Sequence, residues 1–143
     1  MILWRISNYA TLDGVGAKLN PGRWNSFGNA VVYAADHPAS ALLEMLVHID
    51  VSLLPDGFQL LKIEAPDNIT VAADQLAGNW NTNESTTKAI GDEWLKNRSS
   101  LLLKVPSAIL PDVFNVLINP LHQDARNCRI ESVQHVPLDA RLK

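Results

Sequence analysis

Four costly polar side chains stand inside the apolar segments of the first third of the chain. They are Arg5, Arg23, Tyr33 and Glu44. An isolated charge is expensive to bury unless it is paired or bound to something polar. Whatever fold the chain adopts must therefore bring these side chains to partners or to a pocket. Two arginines, a tyrosine and a carboxylate suit a ligand that has phosphates, hydroxyls and an aromatic ring.

Length and composition favour one globular domain over residues 1–143, which is long enough for a hydrophobic core. The net charge is −3 and no basic run is present, so direct binding of nucleic acid is disfavoured. Cys128 is the only cysteine, and an intramolecular disulfide is therefore impossible. No secretory signal and no apolar run of about 20 residues stands out, which predicts a cytoplasmic protein without a membrane span.

Short strand-like and helix-like segments predict an α+β fold. Strands are expected over residues 2–6, 30–35, 58–65, 101–105, 115–118 and 129–136, and helices over residues 39–47 and 86–97. These strands and helices do not alternate regularly, as they would in a series of βαβ units. The order of the elements therefore disfavours a doubly wound sheet.

The irregular regions and the first helix carry further expectations. Residues 8–29 are rich in Gly, Asn and Asp and predict a long loop, of a kind that is often functional. Residues 67–84 have no clear assignment. Asp36 or His37 is expected to cap the first helix, with Pro38 in its first turn. Because that helix is apolar almost all round, the pattern is typical of a buried helix.

Taken one at a time, the motifs do not decide between structural and functional roles for their polar residues. Taken alone, Glu44 fits a structural acid paired with an arginine as well as a carboxylate that stabilises a developing positive charge. Ser107 and Asn119 look like ordinary residues of a turn or strand end. The histidines lack the spacing of metal ligands, and Cys128 has no activating partner in the sequence. Neither metal catalysis nor a thiol nucleophile is therefore predicted.

Taken together, these residues resemble the RES domain family, which is named for its arginine, glutamate and serine. The resemblance covers nearly the whole chain, with the motifs in the family's order. These motifs are Trp4-Arg5, Gly22-Arg23-Trp24, Val32-Tyr33-Ala34, Leu42-Leu43-Glu44, Val105-Pro106-Ser107 and Asn119-Pro120-Leu121-His122.

The resemblance implies a fold similar to ADP-ribosyltransferase toxins, with small mixed or antiparallel sheets and flanking helices. It implies the toxin of a type II toxin–antitoxin system, which depletes NAD+ by cleaving the nicotinamide–ribose bond through hydrolysis or phosphorolysis. NAD+ is then a substrate, and no prosthetic group or metal is expected. The implied partner is an antitoxin with an Xre-like helix-turn-helix, and a homodimer within the toxin–antitoxin complex is compatible with the resemblance.

The resemblance also implies the roles of individual residues. Glu44 and Arg5 are expected to be catalytic, with Glu44 engaging the ribose 2-hydroxyl. Arg5 and Arg23 are expected to hold the pyrophosphate or the ribose, and Tyr33 is expected to pack against the nicotinamide. The full set expected to bind NAD+ is Arg5, Arg23, Tyr33, Glu44, Ser107 and Asn119.

Three points stay open at the level of the sequence. Ser107 looks like the family serine, but Ser99 and Ser100 lie close to it in the chain. The same pocket would also serve an enzyme that transfers ADP-ribose to a protein or a small molecule. A non-catalytic binding module, in which the arginines and Glu44 form a structural network, is the alternative of another class.

Overall fold

A computed structural model describes residues 1–72 and 75–143, and within them seven strands form one sheet with three helices around it. The strands are β1 (Ile2–Ile6), β2 (Val32–Ala35), β3 (Gly57–Glu64), β4 (Ile69–Val71), β5 (Leu102–Pro106), β6 (Phe114–Ile118) and β7 (Arg129–Pro137). The helices are α1 (Val15–Leu19), α2 (Pro38–His48) and α3 (Glu84–Asn97). The predicted α+β class is confirmed.

The strands are ordered β4-β5-β6-β2-β1-β3-β7, and every neighbouring pair is antiparallel except β4–β5. The sheet is nearly divided in its middle. β1 pairs with β3 from Ile2 to Ile6, whereas β1 and β2 are in register only at Trp4 and Ala35. The small sheets expected from the sequence are therefore two halves of one mixed sheet, joined at a single residue pair.

The sheet is buried on both faces at strands β5 and β6. Leu102 packs in one hydrophobic cluster and Leu103 in the other, because successive side chains of a strand point to opposite faces. The first cluster also contains Leu3 and Leu61 and joins the two halves of the sheet. The second cluster contains Trp94 of α3, so this helix covers one face.

Local signals predicted most elements within a residue or two of their observed bounds. Helix α2 begins at Pro38, and the Nδ1 atom of His37 accepts a hydrogen bond from the Ala39 amide at 3.1 Å. The short helix α1 inside the predicted long loop was not foreseen. Strand β4 lies in the unassigned stretch 67–84, of which residues 73 and 74 are outside the described residues.

The prediction that α2 is a buried helix is wrong. Of its residues only Ala41 is buried, and Val47 is 52% exposed. The helix contacts β1 and β2 on one side, while its other sides face a cleft and solvent. An all-round apolar pattern thus reflects a helix at the edge of the fold here. None of the helices among residues 1–72 and 75–143 has the length and apolar character needed to cross a membrane.

The long segment between β1 and β2 is fixed against helix α3 by very close packing. A Cβ atom at Gly91 would lie 1.7 Å from the carbonyl oxygen of Trp24. The Thr87 hydroxyl, one turn earlier in α3, donates to the carbonyl oxygen of Arg23 at 2.7 Å. Only glycine at position 91 lets the helix approach the backbone of the segment this closely.

Gly91→Ala is expected to destabilise the protein, although alanine is the better helix former by about 1 kcal/mol. The added methyl group must push α3 away from the backbone of Trp24, and overpacking of this kind costs about 1–3 kcal/mol or more. Thermal unfolding followed by circular dichroism measures the change. Gly16→Ala in α1 is the matched control, since its added Cβ would meet no described residue within 4 Å beyond its chain neighbours and the backbone of its own helix. Equal or higher stability of Gly91→Ala relative to this control would contradict the packing argument.

Candidate active site

A cleft of about 830 Å³ opens where β1 and β2 part, a volume within the usual range for small-molecule sites. Strands β1 and β2 and helix α2 form much of its wall, and residues of α1 and the start of α3 complete it. All four polar residues singled out in the first third of the chain line this cleft. They are Arg5, Arg23, Tyr33 and Glu44.

The carboxylate of Glu44 is held on one of its two oxygens. Its Oε1 atom accepts hydrogen bonds from the Ser107 hydroxyl at 3.0 Å and from the Nδ2 atom of Asn115 at 2.9 Å. Its Oε2 atom lies 3.9 Å from the Nε2 atom of His48, one helical turn further along α2. The side chain of Glu44 is 28% exposed, so Oε1 is fixed by the protein while Oε2 remains for other partners.

Of the three candidate serines, Ser107 is the one that the fold brings to Glu44. It is buried at the end of β5, and its hydroxyl also accepts a hydrogen bond from the Ile109 amide. Ser100 is buried elsewhere, where its hydroxyl binds the indole nitrogen of Trp94. Ser99 is exposed. Of these three serines, Ser107 is therefore the one that the described structure places beside Glu44.

Asn115 is a cleft residue that the sequence interpretation missed. It lies in strand β6 and lines the cleft, and its Oδ1 atom is buried without a hydrogen-bond partner among residues 1–72 and 75–143. Asparagine is depleted in strands. A polar amide inside the apolar segment Phe114–Ile118 was the available signal, but it does not reveal that the amide reaches a carboxylate 71 residues away.

Arg5 is a mostly buried cation that lies across the gap in the sheet. Its Nη1 atom donates to the backbone carbonyl oxygen of Tyr33 on β2 at 2.7 Å, and its Nε atom is buried without a hydrogen-bond partner in the described residues. Burial lowers the pKa of its guanidinium, while the charge of Asp13 acts in the opposite direction. Among the described residues no carboxylate forms an ion pair with Arg5 within 4 Å. Its charge would be better compensated by an anion bound in the cleft.

Arg23 also lines the cleft, and its guanidinium has several contacts with the protein. Its Nη1 atom donates to the carbonyl oxygen of Asn81 at 2.9 Å, and its Nη2 atom is 3.9 Å from the carboxylate of Glu84. The guanidinium carbon lies 5.9 Å from the centre of the Trp80 ring. The stretch around Trp80, which had no assignment from sequence, thus fixes the direction of Arg23.

Tyr33 supports the wall of the cleft with its hydroxyl group. The hydroxyl donates to the Oδ1 atom of Asn25 at 2.7 Å and accepts from the Trp24 amide at 3.0 Å. Its ring packs against Gly22, where an added Cβ would lie 2.7 Å from the ring. Burial raises the pKa of the Tyr33 hydroxyl well above its ordinary value. Tyr33 is therefore a neutral tyrosine that orders the segment carrying Arg23.

Two charged residues of α3 complete the attachment of this segment. The ammonium group of Lys88 donates to the carbonyl oxygens of Gly22 and Asn25. The carboxylate of Asp92 accepts from the amide and hydroxyl of Ser26, at 2.9 and 2.5 Å, and from the side chain of Asn29. Burial by itself would raise the pKa of Asp92, but these hydrogen bonds and the charge of Lys88 outweigh it and hold that pKa below its ordinary value.

Asn119 does not lie among the residues that line the cleft. It is buried, its Nδ2 atom donates to the carbonyl oxygen of Leu95, and its Oδ1 atom accepts from the amide of Leu121. Both ends of the amide are thus used to hold the turn after β6 against α3. The geometry gives this residue a structural position, and it does not support the expected contact with a substrate.

Comparison with known protein families places the chain in one of them. The family model described as the RES domain matches residues 2–141. The chain belongs to the RES domain family. It is 43% identical over 145 residues to a protein of Pseudomonas putida named Toxin Res, with 99% of each chain covered. Toxin Res of Yersinia enterocolitica is 41% identical over 156 residues, with 100% of each chain covered.

One further sequence relative and one solved structure are similar to this RES domain. A protein of Sphingobium sp. named Prs ADP-ribosylating toxin is 37% identical over 152 residues, covering 97% of this chain and 94% of its own. The crystal structure of the MbcT–MbcA toxin–antitoxin complex of M. tuberculosis matches with a TM-score of 0.77 at 14% identity. That match covers 95% of this chain and 84% of the other and shows an ADP-ribosyltransferase-like fold.

Asp92→Asn is expected to lower the melting temperature of the RES domain at pH 7. Because the folded-state pKa of Asp92 is lowered, the ionised carboxylate stabilises the fold above its unfolded-state pKa, and this contribution is lost as the pH falls through the folded-state value. The difference from the wild type should therefore shrink below about pH 4. Calorimetry between pH 3 and 7 measures it. Glu93→Gln, an exposed neighbour on α3, is the control, and a pH-independent difference would contradict the role of the charge.

Proposed function

We propose that this chain is the toxin of a toxin–antitoxin system and that it cleaves the nicotinamide–ribose bond of NAD+. Relatives of nearly the same length are named toxins, which supports the first part. The second part depends on one observation, the carboxylate of Glu44 in a cleft that also holds the cation of Arg5, which has no carboxylate within 4 Å among residues 1–72 and 75–143. NAD+ offers both a ribose and an anionic pyrophosphate to such a cleft.

Glu44 is the proposed catalytic carboxylate. Departure of nicotinamide leaves positive charge on the ribose carbon and ring oxygen, as in other glycosidic cleavages. A carboxylate that is already held in place stabilises this charge without reorganising. Because the protein occupies Oε1, the Oε2 atom of Glu44 is the acceptor left for a ribose hydroxyl.

The two arginines are proposed to hold the phosphates. Arg5 retains several unused N–H donors, including the buried Nε–H, and no carboxylate among the described residues pairs with it within 4 Å. A pyrophosphate oxygen would satisfy that donor and compensate the charge. Arg23 reaches the cleft from the other wall, with part of its fork engaged by Asn81 and Glu84. Tyr33, whose ring lines the cleft, is proposed to pack against the nicotinamide.

The group that captures the ribosyl carbon is proposed to be water or inorganic phosphate. A second candidate is transfer of ADP-ribose to a macromolecule, which is favoured by the relative named Prs ADP-ribosylating toxin at 37% identity. Both reactions break the same bond in the same cleft. They differ only in the nucleophile, so the residues around Glu44 serve either one.

An antitoxin is the proposed protein partner. The fold matches that of a toxin solved in complex with an antitoxin, which supports such a partner for this chain. Three parts of the proposal come from the family resemblance. They are an Xre-like helix-turn-helix in the antitoxin of this chain, a homodimer within the toxin–antitoxin complex, and action in the cytoplasm.

The cleavage is tested by incubating the purified protein with NAD+ and measuring free nicotinamide. We expect release by the wild type and a fall of about 100-fold or more in kcat for Glu44→Gln, since a neutral amide stabilises positive charge poorly. Glu64→Gln, which alters an exposed acid on β3 outside the cleft, should retain the wild-type rate. Retained cleavage in Glu44→Gln would remove Glu44 from its proposed role.

The same variants address the alternative of a non-catalytic structural network. That alternative needs Glu44 to pair with an arginine, but the ion pairs of residues 1–72 and 75–143 contain none between Glu44 and Arg5 or Arg23. It also predicts a large loss of stability in Glu44→Ala, about 3–5 kcal/mol, and no effect of NAD+ on unfolding. We expect instead that NAD+ raises the melting temperature of the slow Glu44→Gln variant.

Labelled NAD+ separates the two acceptors. With the label in the ADP-ribose part, hydrolysis or phosphorolysis leaves all label on small molecules, whereas transfer leaves it on a macromolecule. We expect the wild type to release nicotinamide and labelled ADP-ribose or its phosphate in equal amounts, in the absence of other proteins. Label retained on macromolecules in a cell extract, dependent on Glu44, would favour transfer.

A further inference from the structure

Asn115 forms a hydrogen bond with Glu44 that the sequence did not predict. Its Nδ2 atom donates to Oε1 of Glu44 at 2.9 Å, and the Ser107 hydroxyl donates to the same oxygen at 3.0 Å. Ser107 directly follows strand β5 and Asn115 lies in the neighbouring antiparallel strand β6, and the register of these strands pairs Val105 with Asn115. Two adjacent parts of the sheet therefore both bind the Oε1 atom of Glu44, which lies on helix α2.

The carboxylate determines the orientation of the Asn115 amide. An ionised carboxylate only accepts hydrogen bonds, so the NH2 group of the amide must face it. The Oδ1 atom then points away from Glu44, and it is buried without a hydrogen-bond partner in the part of the chain that the structure describes. A buried acceptor without a donor is destabilising, by about 1–3 kcal/mol in typical cases.

A purely structural role does not explain this arrangement. Asn115 is paired in register with Ala35 on one side and Val105 on the other, within an apolar segment of β6. An apolar side chain of similar size at this position would remove the unsatisfied Oδ1 atom and suit the strand better. The amide thus reduces the stability of the sheet, and its one observed side-chain bond goes to the proposed catalytic carboxylate.

We infer that Asn115 is the positioning residue of Glu44. Together with Ser107 it immobilises Oε1, so that Oε2 is the oxygen presented to the ribose. The inference rests on the proposed cleavage of NAD+ and adds to it a residue outside the motifs that define the family resemblance. It also divides the two carboxylate oxygens into one that the protein holds and one that the substrate uses.

The test is Asn115→Leu, which keeps the size of the side chain and removes the donor. We expect kcat for nicotinamide release to fall about 10- to 100-fold, because small displacements of a catalytic group have effects of this size, with KM changed less than about twofold. The melting temperature should stay equal or rise, because the orphaned acceptor is gone. Asn68→Leu is the matched control, since its amide also donates to a carboxylate, that of Asp124, outside the cleft. It should leave kcat unchanged.

A double-variant cycle distinguishes positioning from a general defect. If Asn115 acts through Glu44, Asn115→Leu causes no further loss in a Glu44→Ala background, whereas independent effects would multiply. Wild-type kcat in Asn115→Leu, or losses that multiply in the double variant, would overturn the inference and leave the proposed function standing. Absence of nicotinamide release from the wild type would instead remove both. If the leucine variant does not fold, Asn115→Ala replaces it with the same expectation for kcat.

Discussion

The parting of β1 from β2 after a single residue pair is the constraint on which the candidate site depends. A continuous ladder between these strands would close the sheet and leave no space between its halves. Instead the strands meet at Trp4 and Ala35, and the guanidinium of Arg5 bonds the carbonyl oxygen of Tyr33. The hydrophobic cluster that contains Leu3 and Leu61 holds the two halves together on one face of the sheet. The fold thus keeps the cleft open without losing a continuous core.

The walls of this cleft are built from segments that are distant in sequence. The segment that carries Arg23 is irregular, and it is held by side chains of α3 and by the buried amide of Asn25. Asn25 alone bonds the carbonyl oxygens of Ala17 and Asn29 and accepts from Gly22 and Tyr33. An irregular segment becomes a fixed wall only because these polar groups satisfy its backbone.

Much of the fold could be predicted from sequence because its signals are local. Several strands follow short apolar runs that end at or next to Pro or Asn, and α2 begins at Pro38 behind the capping side chain of His37. The degree of burial of α2 was predicted wrongly, since the pattern of one helix does not show how many neighbours it has. Helix α1 was missed because a five-residue helix is too short to show a period.

The site was predictable in part, for a similar reason. Charges inside apolar runs identified Arg5 and Glu44, and the order of the motifs pointed to Arg23 and Ser107. The sequence did not show that Asn115 would meet Glu44, because that contact depends on how the strands pair. It also suggested a binding role for Asn119, whose amide the structure uses to tie the turn after β6 to α3. The motif identified Asn119 as a residue of interest, but its contacts could be known only from the tertiary packing.

The wide spacing of the cleft's components along the chain has a consequence for its synthesis. The partners of Glu44 follow it by 63 and 71 residues, and the α3 contacts of the segment near Arg23 lie a similar distance ahead. A ribosome adding about 5–20 residues per second needs roughly 6–23 s to reach position 115. During the last 71 residues of that synthesis the growing chain contains Glu44 but lacks Asn115. A chain that stops before position 115 therefore contains Glu44 without both of the donors that hold its Oε1 atom.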